Sequence, residues 1–237
     1  MAEIKPRWEW RTFGTRFARA EAVFAGLETK GVQETDEVYL LTEKGSNVKI
    51  RAGLLDIKVL QQVNEADLEQ WMPVLKEGFP ASAATVRDVF RAMQVTPPDL
   101  TREEYTFEQF LGELIEPTKA VRAARVHKRR VRYVVGGCTS ELSDVAVDGS
   151  KTRTIAVETE DAAAVVSAVE ALGLSGYVNT NYSRGLAAAL SGKLPRYAVL
   201  DVGTNSVKFH IAEADADGRW KAVADRAELT RLGEGLK

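Results

Sequence analysis

Charge alternating with bulk is the feature of this sequence that most restricts its fold. Arg7, Glu9 and Arg11 interleave with Trp8 and Trp10. Val48-Lys49-Ile50-Arg51 and Leu55-Asp56-Ile57-Lys58-Val59 repeat the pattern, and Thr154–Glu160 sets Glu158 and Glu160 against Ile155 and Val157. Side chains two apart in a strand share a face, so each segment predicts a strand that is charged on one side and apolar on the other. A solvated sheet face accounts for any one such strand. The set is satisfied together if the sheet closes into an antiparallel barrel with a polar interior and helices over an apolar exterior.

The stretch 119–133 adds Lys119, Arg122, Arg125, Lys128, Arg129, Arg130 and Arg132 with no acid among them. Arg122, Lys128, Arg130 and Arg132 have one parity and would line one face of an extended chain. Gly136-Gly137 then reads as a turn. Arg and Lys converging on a hollow suit a polyanion, because guanidinium matches phosphate oxygens in a two-point fork and a bound anion relieves cation repulsion. The candidate phosphate contacts are Arg11, Lys49, Arg51, Lys58, Lys128 and Arg130.

Helices are interleaved with these strands, which makes the class α+β. Leu68, Trp71, Met72 and Leu75 fall at helical spacing, as do Val86, Val89, Phe90 and Met93. Pro97-Pro98 should end the second helix. Thr106 opens a third, with Phe110, Leu111 and Leu114 inward. Asp161 caps a fourth that runs to Gly173, and a fifth covers Ser183–Leu190. A boundary is expected at Ser191-Gly192-Lys193-Leu194-Pro195. Three strands follow as a meander (197–202, 206–213 and 220–229), with Asp217-Gly218 as a hairpin turn. Three strands alone are marginal as a fold, so residues 191–237 are expected to open a larger domain. Their exposed edge could pair two copies into a homodimer.

Lys plus Arg number 32 against 34 Asp plus Glu in 237 residues, a formal charge of −2. This balance argues against a nucleic-acid coat protein, and leaves nucleic acid a third choice, through a local cationic groove. The single cysteine, Cys138, excludes an internal disulfide and a Cys-based metal site. No run nears the ~20 apolar residues of a membrane helix, and Met1-Ala2-Glu3-Ile4-Lys5-Pro6 lacks a signal pattern, so no membrane association and a cytoplasmic setting are expected. His127 and His210 have no catalytic neighbours in sequence and read as structural or solvated.

The alternating charges of the first strand, Lys49-Ile50-Arg51, Lys58, Lys128-Arg129-Arg130, Glu158, and Asn181-Tyr182-Ser183 before a leucine-rich helix together resemble the triphosphate tunnel (CYTH) domain over residues 1–190. The resemblance implies a closed antiparallel barrel binding inorganic polyphosphate, tripolyphosphate or nucleotide triphosphates. It also implies acidic residues holding Mg²⁺ or Mn²⁺, here Glu9 and Glu158. The family's first strand carries Glu-x-Glu-x-Lys, where this chain has Arg7-Trp8-Glu9-Trp10-Arg11. A second family carboxylate falls on Ala156. Hard divalent cations want several anionic oxygens, so the barrel is expected to bind phosphate chains with little or no hydrolysis.

Asp201-Val202-Gly203-Thr204-Asn205-Ser206 follows one apolar strand and precedes another. The glycine permits close backbone approach, and N–H and hydroxyl groups can donate to phosphate. An ordinary hairpin turn is the competing reading. With Arg231-Leu232-Gly233-Glu234-Gly235-Leu236, the motif resembles the first phosphate loop of the exopolyphosphatase / guanosine pentaphosphate phosphohydrolase (Ppx/GppA) family, of the actin-like ATPase superfamily, over residues 196–237. The resemblance implies a hydrolase that removes terminal phosphates from phosphoanhydrides. Gly203, Thr204, Asn205 and Ser206 would then bind phosphate and Asp201 the metal. The family's second phosphate loop and catalytic glutamate have no counterpart in this chain, so no catalytic residue is assigned and the expected centre is incomplete. The alternative is a non-catalytic module that binds polyphosphate or nucleotide.

Overall fold

The computed structural model describes residues 5–193 and 196–232. Met1–Ile4, the Leu194-Pro195 part of the expected boundary, and Gly233–Leu236 of the second C-terminal motif lie outside the described residues. Eight strands close into an antiparallel barrel: β1 (Arg7–Gly14), β2 (Val32–Leu41), β3 (Asn47–Arg51), β4 (Leu54–Val63), β5 (Glu69–Gly78), β8 (Arg122–Val135), β9 (Cys138–Val147) and β10 (Ser150–Thr159). Their order is β1-β10-β9-β8-β2-β3-β4-β5, and β5 returns to β1. A small ribbon, β6 (Ala81–Ser82) with β7 (Glu104–Tyr105), flanks it.

The apolar halves of the alternating strands face outward, where helices cover them. Trp10, Ile155 and Val157 are buried with Phe24 of α1 (Ala18–Ala25) and Val165 and Val169 of α4 (Ala162–Ala171), and Trp8 packs on the same cluster. Val48, Ile50, Leu55 and Ile57 are buried with Val86, Val89, Phe90 and Met93 of α2 (Ala83–Met93). Phe110 and Leu114 join that cluster from α3 (Phe107–Gln109) and its π-helical continuation Phe110–Ile115. Thr106 caps α3 with a reciprocal Gln109 box, and Asp161 caps α4 through the Ala163 N–H.

A third cluster lies inside the barrel. Tyr182 and Leu186 of α5 (Tyr182–Ser191) reach the inward Tyr39, Leu41, Val126, Val145 and Val147 and plug that end. The Tyr39 and Tyr182 rings stack at 5.3 Å, and Phe13 meets Tyr182 edge-on at 5.4 Å. Gly185 permits this seat, since a Cβ there would lie 2.3 Å from the Phe13 ring.

One expected helix is a strand. Leu68, Trp71, Met72 and Leu75 belong to β5 or its approach, not to a helix. Pro73 sits inside the window, where a helix would lose a hydrogen bond. In the strand, a register shift places Leu75 opposite Ile57 and Pro73 opposite Lys58, leaving Val74 as the extra residue. The bulge makes a period-2 strand imitate helical spacing.

The C-terminal meander forms as β11 (Arg196–Val202), β12 (Ser206–Ala214) and β13 (Trp220–Leu229). Three antiparallel strands recur in many folds and do not establish an actin-like lobe. The β12–β13 tip docks on the barrel: Thr15 N–H donates to Ala216 O at 3.2 Å, and Val178 N–H to Gly218 O at 2.9 Å. Gly218 has φ +82°, and a Cβ there would lie 2.3 Å from Phe13 O. No helix among the described residues is long and apolar enough to cross a membrane.

Candidate functional site

Strand register assembles the interior. Lys49 lies opposite both Tyr39 and Asp56, Glu37 opposite Arg51, and Asn47 opposite Lys58. Across the barrel Arg11 is opposite Ala156, which is opposite Glu141. Unlike charges directly opposite or diagonal across a sheet attract, and they do so here in two buried networks. Glu37 receives Lys128 at 2.8 Å and Lys49 at 3.2 Å, with Arg51 at 3.9 Å. The Lys128 and Glu37 side chains are both 0% exposed. Asp56 pairs Arg51 at 3.2 Å. Arg11 donates through Nε to Glu9 at 2.7 Å and through Nη1 to Glu141 at 3.0 Å, while Arg130 Nε reaches the other Glu141 oxygen at 2.9 Å. The Arg11 guanidinium lies over the Tyr182 ring at 4.3 Å, and the Lys128 ammonium lies 4.5 Å from the same ring.

These contacts fix charge states. Burial alone would raise the Glu37 carboxyl, but Lys49, Lys128 and Arg51 hold it down at about 2. Burial would likewise raise Glu141, and Arg11, Arg130 and Lys128 hold it at about 2. Lys128 is pushed down by burial and by neighbouring Lys49, against the pull of Glu37. The two depressed carboxyls set the acid limit of the fold. Each has a folded pKa below its ordinary 4.5, so the unfolded chain takes up protons first. The stability they contribute is complete above about 4.5 and is lost as pH falls towards about 2. The urea midpoint should fall steeply as pH drops through that acid window; a midpoint unchanged across it would contradict these assignments.

Arg11, Lys49, Arg51, Lys58 and Arg130 line one chamber of about 110 Å³ with Glu9, Asn47, Asp56, Glu141, Glu158 and Tyr182. Lys128 is buried beside it. The six expected cations are thus brought together around one hollow, but with a correction: five carboxylates (Glu9, Glu37, Asp56, Glu141 and Glu158) stand among them. Lys58 is the exception. It is half-buried and forms no ion pair among the described residues. It lines both the chamber and an outer vestibule of about 330 Å³ that also holds Lys5, Arg7, Trp71, Glu158 and Glu160. Tyr182 Oη and Asn47 Oδ1, from two chamber-lining residues, are buried without hydrogen-bond partners.

The basic strand is corrected too. Only Lys128 and Arg130 turn inward to the chamber. Arg122 pairs Asp148 and Arg132 bonds Gln33, both in exposed positions, because β8 runs past the barrel wall at each end. Sequence reasoning passed over Glu37 and Glu141. Their signal is present as Thr35-x-Glu37-x-Tyr39 and Thr139-x-Glu141-x-Ser143, polar residues at every second position of β2 and β9.

Glu9 and Glu158, the expected metal ligands, are each engaged by a guanidinium. Glu9 is held by Arg11, and Glu158 accepts from Arg7 Nη1 at 3.3 Å. The nearby Glu69 is taken by Asn181, Trp71 and Arg184. Among the described residues no three His, Cys, Asp or Glu side chains are placed to hold a metal ion. Asp201 is exposed at the end of β11, opposite Lys208.

Residues 203–205 form the turn between β11 and β12. Gly203 N–H is spent on Ser206 O at 2.9 Å, and Asn205 O accepts from Thr230 N–H and Arg231 N–H. Gly203, Thr204 and Asn205 are exposed and Ser206 half-buried, apart from the barrel chamber's lining. A hollow of about 650 Å³ lies on the outer face between β2, β8 and β9, with an exposed His127–Asp36 pair at 2.9 Å on its lining. Its lining is mostly apolar and, apart from buried Glu37, its charged residues are exposed, so the smaller interior chamber is the stronger site.

No protein-family model and no curated protein matches the chain. Among solved structures, it is similar to a Hippeastrum protein provisionally named an adenylyl cyclase and described as having a dominant triphosphatase activity. That match has 14% identity, a TM-score of 0.47, and covers 81% of this chain and 98% of the other. A Bacillus halodurans protein provisionally named an adenylate cyclase matches with 11% identity and TM-score 0.43, over 74% of this chain and 94% of the other. A Pyrococcus horikoshii protein matches with 17% identity and TM-score 0.38, over 70% and 90%. Likenesses this distant carry no functional argument.

Proposed function

We propose that the barrel is a receptor for the free end of a condensed phosphate: inorganic polyphosphate, tripolyphosphate or the triphosphate of a nucleotide. The observation that carries this reading is the charge inventory of the chamber. Six cations meet five carboxylates (Glu9, Glu37, Asp56, Glu141 and Glu158), and the surplus falls on Lys58, which has no carboxylate of its own among the described residues. An anion would offset that surplus and offer acceptors to Tyr182 Oη and the guanidinium forks. At ~30 Å³ per water the chamber holds only a few water volumes, enough for one terminal phosphoryl group. With α5 plugging the far end, the remaining phosphates would trail past Lys58 into the vestibule towards Arg7 and Lys5.

Insertion by the end predicts a shape preference. Linear tripolyphosphate should bind in low salt with one site per chain, whereas cyclic trimetaphosphate, with as many phosphorus atoms and no end, should bind at least tenfold more weakly, about 1.4 kcal/mol. Calorimetric titration of both into the full chain is the test. Equal affinities would place the anion on an open cationic surface instead.

A second reading concerns the whole protein. The Asp201–Ser206 motif sits on an exposed turn between two strands, and its likeness to a Ppx/GppA phosphate loop supports a phosphoanhydride hydrolase whose catalytic domain begins near residue 191. The barrel, residues 1–190, would then hold the substrate near that domain and raise its local concentration.

A further inference from the structure

We infer that the barrel takes its phosphate ligand without a bridging divalent cation, and that Mg²⁺ competes with the protein for the ligand. The inference rests on the phosphate-receptor reading of the chamber and concerns which positive charges meet the phosphates. Every carboxylate on the β1–β10–β9 wall already has a guanidinium at bonding distance: Glu9 has Arg11 at 2.7 Å, Glu141 has Arg11 and Arg130 at 3.0 and 2.9 Å, and Glu158 has Arg7 at 3.3 Å. Ala156 stands in register between Arg11 and Glu141, presenting a methyl group where another acid would complete an oxygen cage.

A divalent cation needs several anionic oxygens. Here it would have to strip a paired guanidinium from each of them in a site that already holds surplus positive charge. The arginines occupy the place of a metal. They are fixed in position before the ligand arrives, and a guanidinium is weakly hydrated, so presenting its fork to phosphate costs little bound water. Mg²⁺ in solution, by contrast, lowers the charge of tripolyphosphate and so weakens its attraction to Lys58 and the arginines.

The test is a titration of tripolyphosphate into the full chain, once in EDTA and once in millimolar Mg²⁺, with Glu9→Gln in parallel. Binding should be saturable in EDTA and severalfold weaker in Mg²⁺. Glu9→Gln should bind at least as tightly as the parent, because it releases Arg11 towards the ligand. Binding that appears or tightens only with Mg²⁺ or Mn²⁺, or is lost in Glu9→Gln, would overturn the inference while leaving a phosphate site in place. Absence of binding in both buffers would overturn the receptor reading itself.

Discussion

Glu37→Gln should lower the free energy of unfolding by about 3–5 kcal/mol, the usual result of removing one partner from a buried ion pair, and tripolyphosphate should restore part of the loss. Glu37 is the single buried anion to which Lys128, Lys49 and Arg51 all turn. Its amide analogue keeps the shape and one hydrogen-bonding oxygen but leaves Lys49 and Arg51 facing a buried Lys128 that has lost the one anion holding its proton. Lys49 and Arg51 also share Asp56, so part of their charge stays compensated, whereas Lys128 has Glu37 as its only carboxylate within ion-pair distance among the described residues. The unpaired charge raises the attraction for an anion in the chamber above them. Ligand binding to the folded state alone stabilises in proportion to the logarithm of its concentration over Kd. The rise in melting temperature on adding tripolyphosphate should therefore be larger for Glu37→Gln than for the parent. A variant as stable as the parent, or one that tripolyphosphate stabilises no better, would show that these lysines are neutralised by something other than Glu37.

Lys58→Glu should have the opposite profile: near-native stability and a loss of phosphate binding of about 100-fold or more. Lys58 is half-buried and holds no partner, so its replacement strands no buried charge, and surface changes of this kind stay within about 0.5 kcal/mol. A hydrogen bond to a charged group is worth about 1.5–3 kcal/mol, and the new carboxylate at the neck adds repulsion at the point every phosphate must pass. Lys58→Met separates the two contributions and should lose about tenfold. Chemical denaturation checks the first half of this expectation and calorimetry the second. Unchanged affinity in Lys58→Glu would remove the neck from the binding path.

How much of this could be read from the residues follows from what a linear pattern records. Alternation at Arg7–Arg11, Val48–Arg51 and Leu55–Val59 reports which side of a strand is covered, so the barrel and its polar interior were legible, as were the caps at Thr106 and Asp161. Partners across the barrel were not. Arg11 meets Glu141, 130 positions away, and no local pattern announces which acid meets which cation. The helix α1 escaped notice because Phe17 gives it no side-chain cap; Glu21 reaches back to the Phe17 N–H at 2.8 Å instead. In β5 the bulge at Val74 shifted the apolar residues into helical spacing, although Pro73 argued against a helix. At the C-terminus the loop sequence suits both a hairpin and a phosphate cradle, because Gly, Asn and Ser serve both. In the structure its glycine N–H is already bonded within the turn.

The central claim is that the interior, with its ion pairs, is a place for a phosphate end. The most direct measurement is a crystal structure of the full chain with tripolyphosphate, grown in EDTA. The account predicts a terminal phosphoryl group in the chamber touching Lys58 and at least one of Arg11, Arg51 and Arg130, with the next phosphate at the neck beside Lys58. Tripolyphosphate lying on an outer face, with the chamber ion pairs unchanged and no ligand among them, would contradict it.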